Sequence, residues 1–249
     1  MIDFIAAEDR ALLERHNLAS FDALWALQLN AVDEPNTERG GWSSVCRMDL
    51  GERAYYLKRQ SNHLTRSLLR PLGEPTFARE FRNIRRYAGM GIPALQAAFF
   101  AERRLPGERR AVLLTRALDG WQDLEHWLRS WMQLSEAQQL AILRTCGELA
   151  HRLHGAGQMH GCFYPKHIFL REGPSGFEAR LIDLEKTRSL FWGERDRLKD
   201  LEPLLRRAQK FWGAGEVSVL LKAYLQDESQ LTHWLARLGA RREDKQGRR

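Results

Sequence analysis

Four side chains that could handle a phosphate group and a metal ion follow one another in this chain. Lys58 ends the aromatic stretch Tyr55–Leu57, Glu80 lies among arginines, His160 opens a His-Gly-Cys stretch, and Asp183 follows an apolar one. Taken singly, each is ordinary: such a lysine is usually an exposed edge residue, such a glutamate a surface ion-pair partner, and such an aspartate a turn former. Their order and their surroundings carry the argument.

The first part of the chain predicts a sheet with one inserted helix. Val45–Met48 and Ala54–Lys58 flank the turn Leu50–Arg53, as in a hairpin. Thr76–Gly89 has helical spacing of apolar residues and ends at a glycine. Two more strands are predicted at Ala94–Phe100 and Ala111–Thr115, with the polar segment 102–110 separating them. Earlier residues predict helices at Ala7–Arg15 and Phe21–Leu29.

From Gly120 onward the pattern becomes mostly helical. Ser135 and Gln138 have capping-box spacing at the start of a long helix that ends near Gly155. A hairpin is predicted over Ile168–Ile182, and it would bring Asp183 beside the loop that begins at His160. Two further helices are predicted at Leu198–Ala208 and Val217–Leu225.

The order of strand lysine, helix glutamate, His-Gly loop, hairpin and aspartate is the order of parts in the protein-kinase-like fold. We therefore predict an α+β fold with two lobes, a small antiparallel-sheet N-lobe and a mostly helical C-lobe. The expected divisions are an N-terminal helical extension (1–34), the N-lobe (35–118), the C-lobe (119–238) and a disordered basic tail (239–249).

Four segments resemble the lipopolysaccharide kinase family, which includes inner-core heptose and Kdo kinases and the InaA-type proteins. They are Tyr55–Lys58, Phe77–Phe81, His160–His167 and Leu181–Glu185, and the resemblance spans roughly residues 35–212. The loop His-Gly-Cys-Phe-Tyr-Pro-Lys-His is most similar to the InaA-type branch. The resemblance implies an ATP- and Mg²⁺-dependent phosphotransferase acting on a lipopolysaccharide inner-core sugar, with heptose favoured.

The resemblance also implies roles for individual residues. The phosphate-contacting lysine falls on Lys58 and its partner on Glu80, and Asp200 matches an aspartate that braces the catalytic loop. The residues implied for nucleotide binding are Gly40, Gly41, Ser43, Lys58, Glu80, Thr115 and Ala117. Those implied for the metal are His167 and Asp183, and those for catalysis are Cys162, Lys166 and Asp183. A simple turn is the alternative for the Gly40-Gly41 pair, and a surface position is the alternative for Asp200.

Cys162 departs from the pattern, because kinases of this fold place an aspartate there as catalytic base. A neutral thiol accepts a proton less readily at neutral pH. Phosphoryl transfer depends mostly on positioning and charge stabilisation, so the change need not abolish activity. Lys166 could stabilise the transferred phosphoryl group, and Asp183, Glu185 or His160 could accept the proton.

Charge and composition limit the kinds of partner and the cellular location that we expect for this protein. The net charge is +7 with a pI of about 9.6, which favours a phosphate-rich partner. The basic residues form three arginine clusters along the sequence: Arg79, Arg82, Arg85 and Arg86; Arg103, Arg104, Arg109 and Arg110; and Arg206, Arg207 and Lys210. Nucleic acid, an anionic membrane and a phosphorylated glycolipid all fit this charge, as does a plain solvated surface. Three cysteines without paired spacing argue against a disulfide framework or a structural zinc site. No apolar run is long enough to span a membrane and the opening residues lack a signal pattern, which favours the cytoplasm.

With the resemblance, we expect a lipopolysaccharide core or lipid-linked sugar acceptor and peripheral association with the anionic inner-membrane surface. We expect no nucleic acid and no obligate protein partner. Two alternatives stay open. Cys162 favours a catalytically impaired pseudokinase with a nucleotide-binding or scaffold role in envelope assembly or stress response, and a kinase acting on another hydroxyl is also possible.

Overall fold

The structure is a computed structural model that describes residues 3–37, 40–67 and 70–246. The chain divides into two compact units: one comprises residues 1–88 and 95–119, and the other residues 89–94 and 120–249. The mixture of an antiparallel sheet with several helices confirms the predicted α+β class.

The first unit is built on a five-stranded antiparallel sheet. Its described elements are β1 Phe4–Ile5, α1 Ala7–Arg15, α2 Phe21–Ala26, β2 Trp42–Asp49, β3 Ala54–Ser61, β4 Leu64–Ser67, β5 Arg70–Pro75, α3 Thr76–Gly89, β6 Ala97–Leu105 and β7 Glu108–Arg116. The strand order is β1-β6-β7-β3-β2, and β4 and β5 form a separate hairpin. Helices α1 and α3 have the bounds that the sequence predicts.

Helices α1 and α2 pack on one face of this sheet, so the N-terminal residues share its core. Apolar side chains supply most of the contact, among them Leu13, Leu24, Tyr55, Phe99 and Leu114. The buried carboxylate of Asp9 accepts hydrogen bonds from the Tyr55 hydroxyl and the Arg116 guanidinium, both at 2.9 Å. A charge buried in this way is tolerated because it is paired and hydrogen-bonded. Helix α1 is thereby fixed to strands β3 and β7.

The polar segment 102–110 differs from its prediction as a separator between two strands. β6 and β7 run through it and meet in a tight hairpin, with Leu105 opposite Glu108. The ladder continues because cross-strand charges are compensated there, as in the ion pair of Arg109 with Glu102.

The second unit is mostly helical. Its described elements are β8 Gln122–Asp123, α4 Leu124–Arg129, α5 Glu136–Gly155, β9 Gln158–Met159, β10 Ile168–Gly173, β11 Gly176–Leu181, β12 Arg188–Ser189, α6 Glu194–Ala208, α7 Ala214–Leu225 and α8 Leu231–Gln246. The predicted capping box at the start of α5 is present, with Ser135 and Gln138 each satisfying the other's backbone N–H at 3.2 Å. The hairpin β10–β11 aligns Ile168 with Leu181, as expected.

The C-terminal segment 239–249 differs in part from the disordered tail that its polarity favours. Helix α8 continues to Gln246, while residues 247–249 lie outside the described residues. Trp234 and Leu238 are buried, so one face of α8 is anchored where the helix begins. The arginines, glutamate, lysine and glutamine that follow have good helix propensity and allow the helix to propagate.

Candidate active site

Lys58 and Glu80 form a short ion pair in the first unit. Strand β3 carries Lys58 and helix α3 carries Glu80, and the Nζ to Oε1 distance is 2.6 Å. Both side chains are largely shielded, with 16% of Lys58 and 4% of Glu80 exposed. The predicted pairing is confirmed. Because a shielded pair of this kind holds both charges in one geometry, the Lys58 ammonium is fixed in direction and can present its remaining protons to an anion.

Gln60 supports this pair and was not singled out by the sequence. Its Oε1 accepts hydrogen bonds from the backbone N–H of Phe77 at 2.7 Å and the hydroxyl of Thr76 at 2.8 Å, while its Nε2 donates to the carbonyl of His63 at 2.6 Å. Gln60 lies two residues beyond Lys58, so both side chains emerge on one face of β3. The amide therefore fixes the start of α3 to the strand that carries the lysine. No sequence signal indicates this role, because the partners of Gln60 are brought to it only by folding.

The Gly40-Gly41 pair precedes strand β2, where the resemblance places a glycine-rich loop. Gly40 has a positive φ of 74°, and a Cβ on Gly41 would lie 2.2 Å from the carbonyl oxygen of Ser61. Only glycine fits so close to that backbone. Ser43 exchanges two backbone hydrogen bonds with Asn36. Residues 38 and 39 lie outside the described residues.

Thr115 and Ala117 lie at the end of strand β7 and just beyond it. Thr115 is buried and pairs with Tyr56 across the ladder. The N–H of Ala117 donates to the carbonyl of Ala54 at 2.9 Å. An adenine that accepted a hydrogen bond from this N–H would have to displace that contact.

Asp200 braces the loop that begins at His160, as predicted. Its carboxylate accepts hydrogen bonds from the backbone N–H of His160 at 2.7 Å and of Gly161 at 2.8 Å, and it contacts His154 Nε2 at 3.2 Å. Asp200 is 1% exposed. The three donors satisfy the hydrogen-bonding capacity of the buried carboxylate, and the carboxylate in return holds each donor in position. The start of the loop is therefore held rigidly to α6.

Gly161 allows a second close approach at the same loop. Its φ is +78°, and a Cβ there would lie 2.6 Å from the carbonyl oxygen of Lys186. Only glycine tolerates both the conformation and the contact. The chain that follows Asp183 can thus pack directly on the loop.

His160 is a structural link within this unit. Its Nε2 donates to the carbonyl of Ile182 at 2.9 Å, and its Nδ1 accepts from the N–H of Cys162 at 3.3 Å. The ring is fully buried, and burial lowers its pKa, so it stays neutral. Both nitrogens are occupied, and His160 is therefore unsuited to accept a proton from a substrate.

His167 and Asp183 bring two acceptor atoms together at the base of the β10–β11 hairpin. The Nδ1 of His167 donates to the carbonyl of Cys162 at 2.8 Å, which leaves Nε2 facing Asp183 Oδ2 at 3.3 Å. Burial lowers the pKa of His167, against a smaller opposite effect of the Asp183 charge, so the ring is neutral at pH 7. A neutral Nε2 in this tautomer carries a lone pair, and so does the carboxylate oxygen. Two lone pairs at this separation fit two ligands of one cation.

The backbone at Asp183 is unusual for a residue other than glycine. Its φ of 57° and ψ of 62° lie in the left-handed region, and 46% of its side chain is exposed. Conformations of this kind persist where surrounding structure enforces them, and they concentrate at functional sites. Among the described residues no group of three or more His, Cys, Asp or Glu side chains could hold a metal ion. A cation here would take two protein ligands and complete its shell with water or phosphate oxygens, as Mg²⁺ commonly does.

Cys162 has the properties of a buried thiol. It is 7% exposed, and burial raises its pKa above the ordinary value, with the Asp183 charge adding to the effect and Lys186 opposing it. The thiol is therefore protonated at neutral pH, and the thiolate is disfavoured as a base.

Lys166 is exposed in the 3₁₀ turn Pro165–His167, next to His167. It has no ion-pair partner within residues 3–37, 40–67 and 70–246. Its ammonium is thus available to a phosphate group.

The arginine clusters are less basic as surfaces than their sequence indicates. Several of these arginines are neutralised by short ion pairs, namely Arg82 with Glu74, Arg103 with Asp3, Arg109 with Glu102, Arg110 with Glu108 and Arg206 with Glu202. Most of these partners are distant in sequence or brought together by the sheet. The positive charge left for a partner is therefore smaller than a residue count implies. In the part of the chain that the structure describes, no helix is long and apolar enough to cross a membrane.

Three comparisons with known proteins show which family and fold this chain resembles. A family model for the lipopolysaccharide kinase (Kdo/WaaP) family matches residues 22–224. Protein InaA of Escherichia coli (strain K12) is 31% identical over 171 residues, which cover 68% of this chain and 78% of that protein. A solved structure described as WaaP in complex with acyl carrier protein is similar over 98% of this chain and 99% of that chain, with a TM-score of 0.73 and 21% identity. That likeness confirms the protein-kinase-like fold.

Proposed function

The chain belongs to the lipopolysaccharide kinase (Kdo/WaaP) family, and on that premise we propose that it transfers a phosphate from ATP to a sugar of the lipopolysaccharide inner core. Heptose is the acceptor that we favour. The observation that carries the proposal is the pairing of His167 Nε2 with Asp183 Oδ2 at 3.3 Å, because both present lone pairs where a metal–phosphate group would sit.

Nucleotide binding is assigned to the first unit's ion pair. Lys58 would contact the phosphates of ATP, and Glu80 would hold its ammonium in place, as in kinases of this fold. Gly40, Gly41 and Ser43 would lie along the nucleotide, and the backbone near Thr115 and Ala117 would meet the adenine. The short Lys58–Glu80 contact supports the first of these roles most directly.

Metal binding is assigned to His167 and Asp183, whose donor atoms fit the first shell of Mg²⁺ together with phosphate oxygens. When bound, Mg²⁺ would neutralise charge on the phosphates. The chain's own contribution is to fix these donors: the Cys162 carbonyl sets the tautomer of His167, and Asp200 anchors the loop from which it extends.

Catalysis in this site rests on positioning and charge rather than on Cys162. Lys166 would place a positive charge on the transferred phosphoryl group, in the manner of other electrostatic stabilisers. Asp183 and Glu185 are the remaining candidates to accept the proton of the sugar hydroxyl, since His160 is buried with both nitrogens occupied. Cys162 would shape the site as a neutral, packed side chain.

The site of action would be the cytoplasmic face of the inner membrane, where the protein would bind peripherally. A lipopolysaccharide core or lipid-linked acceptor is displayed at such a surface. The solved relative was described with acyl carrier protein, so that carrier is a partner to test for this chain as well.

A pseudokinase is the second candidate function, and Cys162 favours it because the residue cannot act as an ordinary carboxylate base. In that case the protein would bind nucleotide and support envelope assembly or a stress response without transferring phosphate.

The phosphate content of the core oligosaccharide distinguishes a kinase from a pseudokinase. We would delete the gene and restore it with the wild type, with Asp183→Asn or with an empty vector, and count core phosphates by mass spectrometry. The kinase proposal predicts one phosphate fewer in the deletion and the Asp183→Asn strains, restored by the wild type. Identical phosphate counts in all strains would refute it for this acceptor.

A further inference from the structure

Two adjacent aromatic side chains are exposed in the second unit. Phe191 and Trp192 connect β12 to α6, and they are 72% and 68% exposed. We call these two residues the aromatic turn. Single exposed apolar residues are common, but exposure of two neighbouring aromatic rings places considerable apolar area in water. Such area often marks an interaction surface.

The aromatic turn is held in place by a buried ionic network. The Asp196 carboxylate accepts hydrogen bonds from the N–H groups of Phe191 and Trp192, at 2.9 and 3.2 Å. Arg188 donates two hydrogen bonds to the same carboxylate, at 2.9 and 3.0 Å, and lies 5.5 Å from the Phe191 ring. Because Asp196 is only 2% exposed, water has little access to the carboxylate that holds these groups. The rings are therefore presented by a fixed backbone and do not belong to a loose loop.

Exposed positive charge lies beside the aromatic turn. Arg195 and Lys199 are exposed and one helical turn apart at the start of α6, and helical side chains lean toward the N-terminus, which here is the aromatic turn. Neither has an ion-pair partner among the described residues. Glu194 is occupied by His233 at 3.0 Å and Arg237 at 3.5 Å. The surface thus combines aromatic rings with uncompensated cations.

We infer that Phe191, Trp192, Arg195 and Lys199 form a contact surface for an anionic lipid bilayer. Trp and Phe favour the boundary between headgroups and acyl chains, and Arg and Lys favour lipid phosphates. Charge complementarity selects an anionic bilayer over an uncharged apolar partner. The inference deepens the proposed function, since it rests on a membrane-borne acceptor. It adds an aromatic and cationic contact to the arginine clusters, in which Arg82, Arg103, Arg109, Arg110 and Arg206 already form ion pairs with acidic side chains.

The aromatic turn is also linked to the catalytic loop through its own unit. Arg188 lies opposite Met159 in the β9–β12 pair, and the N–H of Leu190 donates to the carbonyl of Gly157 at 2.8 Å. The loop at His160 follows directly after β9. A bilayer contact at the aromatic turn would hold a lipid-anchored sugar within reach of the unit that carries His167 and Asp183.

Vesicle sedimentation tests the inference without nucleotide or sugar. The probe is vesicles of phosphatidylethanolamine and phosphatidylglycerol in equal parts, with phosphatidylcholine vesicles for comparison. Phe191→Ser/Trp192→Ser should weaken binding to the anionic vesicles by about 10–100-fold, from lost apolar burial. Arg195→Gln/Lys199→Gln should weaken it by about tenfold, because each cation near an anionic surface contributes modestly. Met132→Ser, which removes another apolar side chain of 87% exposure in the same unit, should bind like wild type.

Several results would overturn the inference. Wild type that fails to sediment with anionic vesicles excludes a bilayer contact, and an aromatic double variant that binds like Met132→Ser excludes this surface. If the aromatic double variant instead turns a dimer into a monomer in size-exclusion chromatography, the surface contacts a second copy of the chain. Thermal unfolding of each variant should match wild type, since these side chains are exposed. Sedimentation and phosphoryl transfer are measured separately, so failure of one leaves the other standing.

Discussion

Asp200→Ala is the substitution whose effect follows most directly from the structure. The change removes a buried carboxylate that accepts two backbone hydrogen bonds, from His160 at 2.7 Å and Gly161 at 2.8 Å. It also leaves His154 Nε2 without its partner at 3.2 Å. Water has little access to replace these contacts, because Asp200 is 1% exposed.

The expected loss of stability can be estimated group by group. Each buried donor left without a partner costs about 1–3 kcal/mol. Two backbone donors and one imidazole give a total of about 3–6 kcal/mol after partial relaxation. For a chain of this size about 1 kcal/mol corresponds to roughly 2–4 °C in Tm, so the Tm should fall by about 6–24 °C. Asp200→Asn keeps one acceptor oxygen and should lose about half as much.

The measurement is the Tm of each variant, determined by differential scanning calorimetry. Asp227→Ala is the matched control. Asp227 is an exposed aspartate of the same unit that caps Ser229 at 3.0 Å. Losing an exposed cap costs about 1 kcal/mol, so the control should lose only a few degrees. Equal Tm values for Asp200→Ala and Asp227→Ala would show that Asp200 does not brace the loop that begins at His160.

The remaining predictions concern the ion pair, the thiol and an acidic network. Lys58→Ala should lower ATP affinity or activity far more than Arg104→Ala, an exposed arginine of the same unit, in titrations followed by thermal shift; equal effects would remove Lys58 from the nucleotide site. Cys162→Ala should retain most phosphoryl transfer while Asp183→Asn loses it, and a loss of about 10²–10⁴-fold in Cys162→Ala with a rate rising through the thiol pKa would instead make the thiolate the base. Arg188 and two backbone N–H groups lower the pKa of Asp196 below its ordinary 3.8, so its contribution to stability is complete above that pH and is lost as the pH falls below it. Urea unfolding should show Asp196→Asn less stable than wild type at neutral pH, with the difference shrinking on acidification; a difference that does not change with pH would exclude this linkage.

Local signals in the sequence were sufficient for much of the fold. Thr76–Gly89 was predicted with its observed bounds because a glycine and a helical apolar spacing mark both its length and its end. The Ser135 capping box likewise marked the start of α5. The β4–β5 hairpin was missed because its sequence, rich in leucine and arginine, lacks the alternation that identifies a strand.

In the candidate site, too, features that depend on local sequence were predicted, and contacts between residues distant in sequence were not. The order of Lys58, Glu80 and Asp183 was readable from the chain, and the first two pair as expected. The role of Gln60 was not readable, because its partners are brought to it only by folding. For the arginine clusters, the sequence predicted more free positive charge than the structure shows. Arg103, for example, forms an ion pair with Asp3, which is 100 residues away in the sequence, and a count of charges does not reveal such a pair.

The tautomer of His167 and the backbone conformation of Asp183 could not be predicted from the sequence. That His167 directs Nε2 toward Asp183 depends on the carbonyl of Cys162, which accepts from the other nitrogen. Asp183 adopts a left-handed conformation where the 3₁₀ turn Leu184–Lys186 begins. Neither follows from residue type or spacing.

Transfer of radiolabelled phosphate from ATP to purified heptose-containing inner-core lipopolysaccharide tests the central claim most directly. With Mg²⁺ present, the account predicts that the wild-type protein labels the acceptor, that Asp183→Asn does not, and that Cys162→Ala labels it nearly as well as wild type. If the wild-type protein binds ATP but labels no core acceptor, and Cys162→Asp creates the activity, the protein is a pseudokinase and the proposed function is wrong.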